Sequence, residues 1–163
     1  MTLVTSGRVT TTDRRWLERA VALAWQARER GDHPFGALLV IPGDTVIEAL
    51  NSVVTKADPT GHAETNLVRL AGRTDLATRS AGVLYTSTEP CAMCAGAIYW
   101  SGIGRVVFAL SEEGLAGMVE DEEGVPPLRL PSREVFARGG RAIVVDGPVG
   151  LVSATAVHEG FWS

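Results

Sequence analysis

Two short stretches hold residue types that can bind a metal and move a proton: His62-Ala63-Glu64 and Pro90-Cys91-Ala92-Met93-Cys94. One imidazole and two thiolates form a three-donor set suited to zinc. Catalytic zinc sites keep the fourth tetrahedral position open for water, whereas structural sites fill all four with side chains. Glu64 stands two residues from His62, close enough to trade protons with that water. A hydroxide source beside a carboxylate shuttle can attack an amidine-type carbon and expel ammonia. The expected cofactor is Zn2+, with His62, Cys91 and Cys94 as ligands and Glu64 as the catalytic group. The chain has no other cysteines. In a reducing compartment such a pair argues for metal or redox chemistry, not a structural disulfide.

Two other readings use the same residues. A thioredoxin-like redox couple also opens a helix after a strand, but it leaves His62 and Glu64 without a role. A closed structural zinc site would take His33 or His158 as its fourth ligand, giving a binding module without turnover. Otherwise His158 is expected to be a surface or interface histidine, and His33 a loop-packing one.

The chain has 163 residues, 45% hydrophobic and 21% charged, which fits one domain spanning 1–163 with a real core. No segment approaches the roughly 20 apolar residues that a membrane helix needs, so a cytoplasmic protein without membrane contact is expected. Net charge is −4 and the arginines are scattered. A nucleic-acid partner calls for a basic stripe that neutralises phosphates, so the balance favours a small free substrate. A dense acidic run follows the cysteine motif: Glu112, Glu113, Glu120, Asp121, Glu122 and Glu123.

These motifs need a frame. Asp13 can cap a helix in which Trp16, Ala20, Leu23, Ala24 and Ala27 recur at helical spacing, ended by Gly31. Residues 1–12 before it are expected to be a flexible N-terminus. Ala37 to Ile41 reads as a buried strand, turned by Pro42-Gly43-Asp44 into a hairpin partner from Thr45 to Leu50. A helix from about His62 to Ala71, a strand from Val83 to Thr86, a helix from about Cys91 to Trp100 and a strand from Arg105 to Ala109 follow. Residues 111–131 form an acidic, Gly- and Pro-containing loop or lid. A short helix from Ser132 to Ala137, a strand from Ala142 to Val145 and a terminal helix from Val149 to about Glu159 complete the chain. This alternation predicts an α/β fold of three layers, α/β/α, with helices on both faces of the sheet.

In this reading both halves of the site open helices. A helix start carries free N–H groups and about half a positive charge, which favours the thiolate that a metal requires. Cys94 lies three residues after Cys91, so both sulfurs share a helical face. Pro90 fits the first helical turn.

With the site in view, the chain resembles the cytidine-deaminase-like superfamily, in its bacterial nucleobase and nucleoside deaminase branch. His62-Ala63-Glu64, the stretch Glu89 to Trp100, His33-Pro34-Phe35-Gly36-Ala37, Asn51-Ser52-Val53-Val54 and Asp58-Pro59 carry the resemblance from about Trp16 to Leu110. The Ala-Ile-Tyr-Trp ending of the zinc helix is most similar to guanine deaminases. The resemblance implies a five-stranded mixed sheet, one zinc per subunit and a homodimer. It implies that Asn51 hydrogen-bonds the base edge (an Asx turn is the local alternative), that the Ala63 N–H donates to a substrate carbonyl, and that Phe35 and Trp100 wall the pocket. For Phe35 and Trp100, plain core packing is the alternative. An acidic residue after the fourth strand and an aromatic tail help guanine deaminases select the purine. Asp121 or Glu122 and Phe161 or Trp162 are the counterparts here. The substrate expectation is a free amino-substituted base, guanine first, with cytosine, a related aminoheterocycle or a nucleoside as others. Adenosine-to-inosine editing of tRNA is the alternative enzyme, although the tail lacks the basic helix of that group.

Overall fold

The computed structural model describes residues 4–119 and 125–162. Its elements in chain order are β1 (Val4–Thr5), α1 (Thr11–Glu29), β2 (Gly36–Ile41), β3 (Thr45–Leu50), α2 (Ala63–Ala71), α3 (Leu76–Ala81), β4 (Val83–Thr88), α4 (Ala92–Ser101), β5 (Arg105–Leu110), α5 (Glu112–Ala116), α6 (Ser132–Ala137), β6 (Ile143–Asp146) and α7 (Val152–Ala156). One six-stranded mixed sheet has the order β1-β6-β5-β4-β2-β3. β2 runs antiparallel to both neighbours, and the β4, β5, β6 and β1 pairings are parallel. Among the described residues no helix is long and apolar enough to cross a membrane.

Period-two alternation builds two cores, because both faces of the sheet are covered. Leu39, Leu84, Val106, Phe108 and Val145 face α2, α4 and α6 through Leu67, Ile98 and Phe136. Leu38, Tyr85 and Val107 face α1 and the C-terminal segment through Leu17, Ala20, Ala24, Ala154 and Val157. Gly36 is where α1 crosses the sheet: a Cβ there would lie 2.5 Å from the Ala20 carbonyl oxygen and 2.6 Å from the Ala24 nitrogen.

Several elements differ from expectation. The sheet has six strands instead of five because Val4 and Thr5 pair with Ile143 and Val144. A two-residue strand is too short to show a period in sequence. Residues 4–12, expected to be loose, hold this strand and the start of α1. Thr10, not Asp13, is the cap of α1: its hydroxyl accepts the Asp13 N–H at 3.1 Å while Asp13 Oδ2 accepts the Thr10 N–H at 2.7 Å. The short helices α3 and α5 add to the expected elements, and α5 lies inside the expected acidic loop. The terminal helix is shorter than expected, Val152–Ala156 followed by turns through Phe161.

Asp13 also ties the layers together. Its Oδ1 accepts hydrogen bonds from Tyr85 Oη (2.7 Å) and Arg105 (2.9 Å), and Arg105 spans onward to Asp146 at 2.8 Å. Burial works against the Asp13 charge, but Arg105, Thr10 and Tyr85 outweigh it and hold the carboxyl down at about 2. A folded pKa below the unfolded one means stability that is present above the unfolded value and lost as pH falls through the folded one. The shift is worth about 2 kcal/mol. Urea unfolding of the wild type and Asp13→Asn from pH 6 to pH 2 should show a wild-type advantage that shrinks below about pH 4. An advantage that is constant with pH would assign it to packing instead.

Candidate active site

The parallel strand β4 delivers the site at its carboxyl end, the usual ligand side of such sheets. Thr86 and Thr88 point to one face there, Glu89-Pro90 turns the chain, and α4 begins. His62 is the N-cap of α2 and Cys91 the N-cap of α4, and neither side chain caps its own helix. Both are turned toward each other instead. Pro90 therefore precedes the cap and does not occupy the first helical turn as expected.

His62 Nδ1 lies 3.5 Å from Cys91 Sγ and 3.6 Å from Cys94 Sγ. Tetrahedral zinc with ordinary Zn–S and Zn–N bonds separates such donors by about 3.6 Å. The donor set and its spacing therefore fit zinc. Among the described residues no further His, Cys, Asp or Glu joins this cluster. His33 and His158, the sequence candidates for a fourth ligand, are not among these donors and lie in an aromatic cluster with Phe35, Phe161 and Trp162. The two cysteines are not bonded to each other. Hydrogen bonding with Cys94, and less so with His62, pushes the Cys91 thiol down to about 4. Its thiolate in turn raises His62 and Cys94, while Thr65 Oγ1, 3.3 Å from Cys94 Sγ, steadies the buried sulfur.

Glu64 sits in the first turn of α2 and is 5% exposed. Its Oε1 accepts a hydrogen bond from Thr86 Oγ1 at 2.7 Å, and Thr86 Oγ1 also lies 3.0 Å from the Thr88 carbonyl. Burial raises the Glu64 pKa, the Thr86 bond opposes this, and the Cys91 charge raises it further. A carboxylate with its affinity for protons raised is suited to accepting one from water and passing it on.

Asn51 is buried and held from three sides. Its Oδ1 accepts the Val53 N–H at 3.1 Å, so the Asx turn is present and the two N–H donors of Nδ2 remain for another group. Its N–H donates to the Phe35 carbonyl, and its carbonyl accepts from Arg30 at 2.7 Å. Asp32 fixes the loop beyond, accepting the Val54 and Thr55 N–H groups at 3.0 and 2.9 Å. The Ala63 N–H, first in α2, has no intrahelical acceptor.

The structure brings His62, Cys91, Cys94, Glu64 and Ala63 to one place, and Phe35 stands two residues beyond the last β2–β4 pair, Ala37↔Thr86. Trp162 packs 6.0 Å from Phe35. Trp100 is not brought in: it is 85% exposed near the far end of α4, nine residues from Cys91 and so about 13 Å along the axis. Asp121 and Glu122 lie outside the described residues. Sequence reasoning missed Thr86, Thr88 and Asp32, and it placed His158, which is 1% exposed, at the surface or an interface. Only the threonines left a signal, their two-residue spacing at the end of a strand that leads into Cys91.

A three-donor zinc site at two helix starts, beside a buried glutamate and on a three-layer sheet, defines a zinc-dependent deaminase. The chain belongs to the cytidine and deoxycytidylate deaminase family: residues 10–110 match the model of its zinc-binding region. It is 42% identical over 150 residues to the "Probable cytosine deaminase" of Schizosaccharomyces pombe, covering 92% of each chain. It is 44% identical to the guanine deaminase of Bacillus subtilis over 96 residues, 58% of this chain and 62% of that one. The solved guanine deaminase of Nitrosomonas europaea shares the fold, with a TM-score of 0.75 at 23% identity, covering 94% of this chain and 86% of that one. The chain is therefore a hydrolytic, zinc-binding deaminase.

Proposed function

We propose that the protein deaminates a free nucleobase, with cytosine now placed ahead of guanine. The observation that carries this order is the 42% identity to the S. pombe relative over 92% of each chain, where the B. subtilis guanine deaminase matches 58% of this chain. The expectation of guanine rests on a carboxylate facing the base from residues 121–122 and on the ending of α4. The tail side chains that pack on Phe35 are those of His158 and Trp162, neither of them an acid. His62, Cys91 and Cys94 would hold zinc, which supplies a Lewis acid that activates water. Glu64 would carry two protons in turn: the first from water to the ring nitrogen, the second from the hydroxyl added at the amino-bearing carbon to the departing ammonia, which leaves the carboxylate as it began. Asn51 Nδ2 and the Ala63 N–H orient the base, and Phe35 and Trp162 wall it. Ammonia release by zinc-loaded protein over cytosine, guanine, adenine, their nucleosides and aminotriazines tests this, with cytosine expected to give the highest kcat/KM. Guanine turning over faster would put guanine back in first place. Activity confined to a tRNA anticodon stem would make the protein an editor, and zinc binding without any ammonia would make it a binding module.

The same reading includes a homodimer. Helix α4, AMCAGAIYWS, has no charged residue, and a helix apolar all round is ordinarily covered. Its outer face presents Met93, Gly96, Ala97 and Trp100 at helical spacing, with Met93 38% and Trp100 85% exposed. Light scattering after size exclusion should give twice the chain mass for the wild type and a monomer for Trp100→Glu. A wild-type monomer at micromolar concentration would end the dimer reading.

A further inference from the structure

We propose that His158, held by Trp162 as its Nε2–H tautomer, donates a hydrogen bond to an acceptor atom of the bound base and so helps to set which bases are accepted. The proposal rests on the base-deaminase reading above and adds a residue that motif spacing does not reveal.

Position comes first. Thr88 Oγ1 lies 3.5 Å from His158 Nε2, while the carbonyl of the same Thr88 lies 3.0 Å from Thr86 Oγ1, whose proton goes to Glu64. Two threonines on one face of β4 thus link the proton carrier to the histidine. Phe35, two residues beyond the last β2–β4 pair Ala37↔Thr86 and bonded through its carbonyl to Asn51, has its ring 5.3 Å from that of His158. The imidazole is 1% exposed, and its Nε2 edge lies against Thr88, the last residue of β4, from which the chain turns to Cys91.

The tautomer follows from donor chemistry. An indole N–H can only donate, and Trp162 Nε1 donates to His158 Nδ1 at 3.2 Å. Nδ1 must therefore be unprotonated, and a neutral imidazole then carries its single proton on Nε2. Burial, with Arg28 nearby, lowers His158 to about 4, so the ring is neutral near pH 7. The stack of Trp162 on His158, 14° from parallel at 6.0 Å, keeps the ring plane in place. The resulting Nε2–H has a poor partner in Thr88 at 3.5 Å, against the usual 2.9 to 3.0 Å or so. A carbonyl oxygen or unprotonated ring nitrogen of a base would satisfy it better. An amino group or ring N–H in that place would face a donor and be rejected. A carboxylate there would impose the opposite choice.

The chain has only 3 histidines, so 15N-histidine labelling gives an assignable spectrum. The expected result for zinc-loaded wild type is His158 with a pyridine-like Nδ1 and a pyrrole-like Nε2. A protonated Nδ1 would overturn the proposal. Trp162→Phe keeps a stacking ring and removes the donor. It should release the tautomer into a mixture and lower kcat/KM a few-fold at an unchanged Tm. With the best base of the panel, His158→Leu should lose about 10- to 100-fold in kcat/KM, mostly through KM, while His158→Gln, which keeps an N–H donor, stays within about 5-fold of wild type. Equal losses in Leu and Gln, or none in either, would leave His158 a packing residue and sink the inference while the deaminase reading stands. If wild type released ammonia from no base, the reading itself would fall, and this inference with it. Should His158→Leu not fold, the spectrum and Trp162→Phe decide the matter.

Discussion

Glu64→Gln should lower kcat by roughly 1,000-fold or more while leaving zinc content and Tm near those of wild type. The substitution changes one atom. The amide oxygen of the new side chain would still accept from Thr86 Oγ1, so the 2.7 Å contact and the shape of the pocket survive. What disappears is an oxygen that can take up a proton from water and release it to nitrogen. Glu64 is not one of the clustered donors around His62, so metal should remain at one per chain. A KM within a few-fold of wild type would locate the loss in chemistry and not in binding. The rival view is that Glu64 is a buried carboxylate retained for packing. On that view relief of a buried charge would raise Tm and leave turnover within about 10-fold. Steady-state ammonia release, metal analysis and calorimetry on the same sample separate the two, and an active Gln variant with zinc bound removes Glu64 from the mechanism.

The parts of this molecule that its sequence displays differ physically from those that only the fold creates. His62, Cys91 and Cys94 were legible because metal chemistry restricts donor type, and because a helix N-terminus places residues i and i+3 together whatever surrounds them. Strands with both faces covered, such as β2 and β5, were legible as apolar runs. β1 was not, since two residues cannot show a period and the pairing with β6 spans nearly the whole chain. Asn51 could be named, but not the device that aims it: Asp32 acts through loop amides 22 and 23 residues away. His158 was misjudged as a surface or interface group because a lone histidine near a terminus has no pattern. Its burial is decided by Phe35 and Trp162, which the fold alone brings together. Trp100 was misplaced for the opposite reason. A helical motif fixes which residues share a face but not whether that face meets the site or the outside.

Removing zinc should abolish turnover yet leave the fold standing, and the reason lies in how little of the core depends on the site. The two apolar clusters are built from strands and helices that meet without the metal. Chelated protein should therefore keep its far-UV signal and unfold cooperatively. A metal held about 1,000-fold above its Kd contributes about 4 kcal/mol, which in a domain of this size is a Tm loss of about 10 °C. Metal-free small zinc modules, by contrast, unfold outright. The stripped site would retain a Cys91 thiolate beside a Cys94 thiol and His62, an arrangement ready to take zinc back and, in air, open to oxidation. Activity should return with one zinc per chain if thiols are kept reduced. Cys91→Ala separates the chemistry from the packing: its side chain is only half-buried, whereas Cys94 is fully enclosed. The Cys91 variant should be folded, bind zinc at least 10- to 100-fold more weakly and show no ammonia release above background. Turnover by chelated protein, with zinc below a few per cent of chain concentration by elemental analysis, would show that the three donors are not the seat of the reaction.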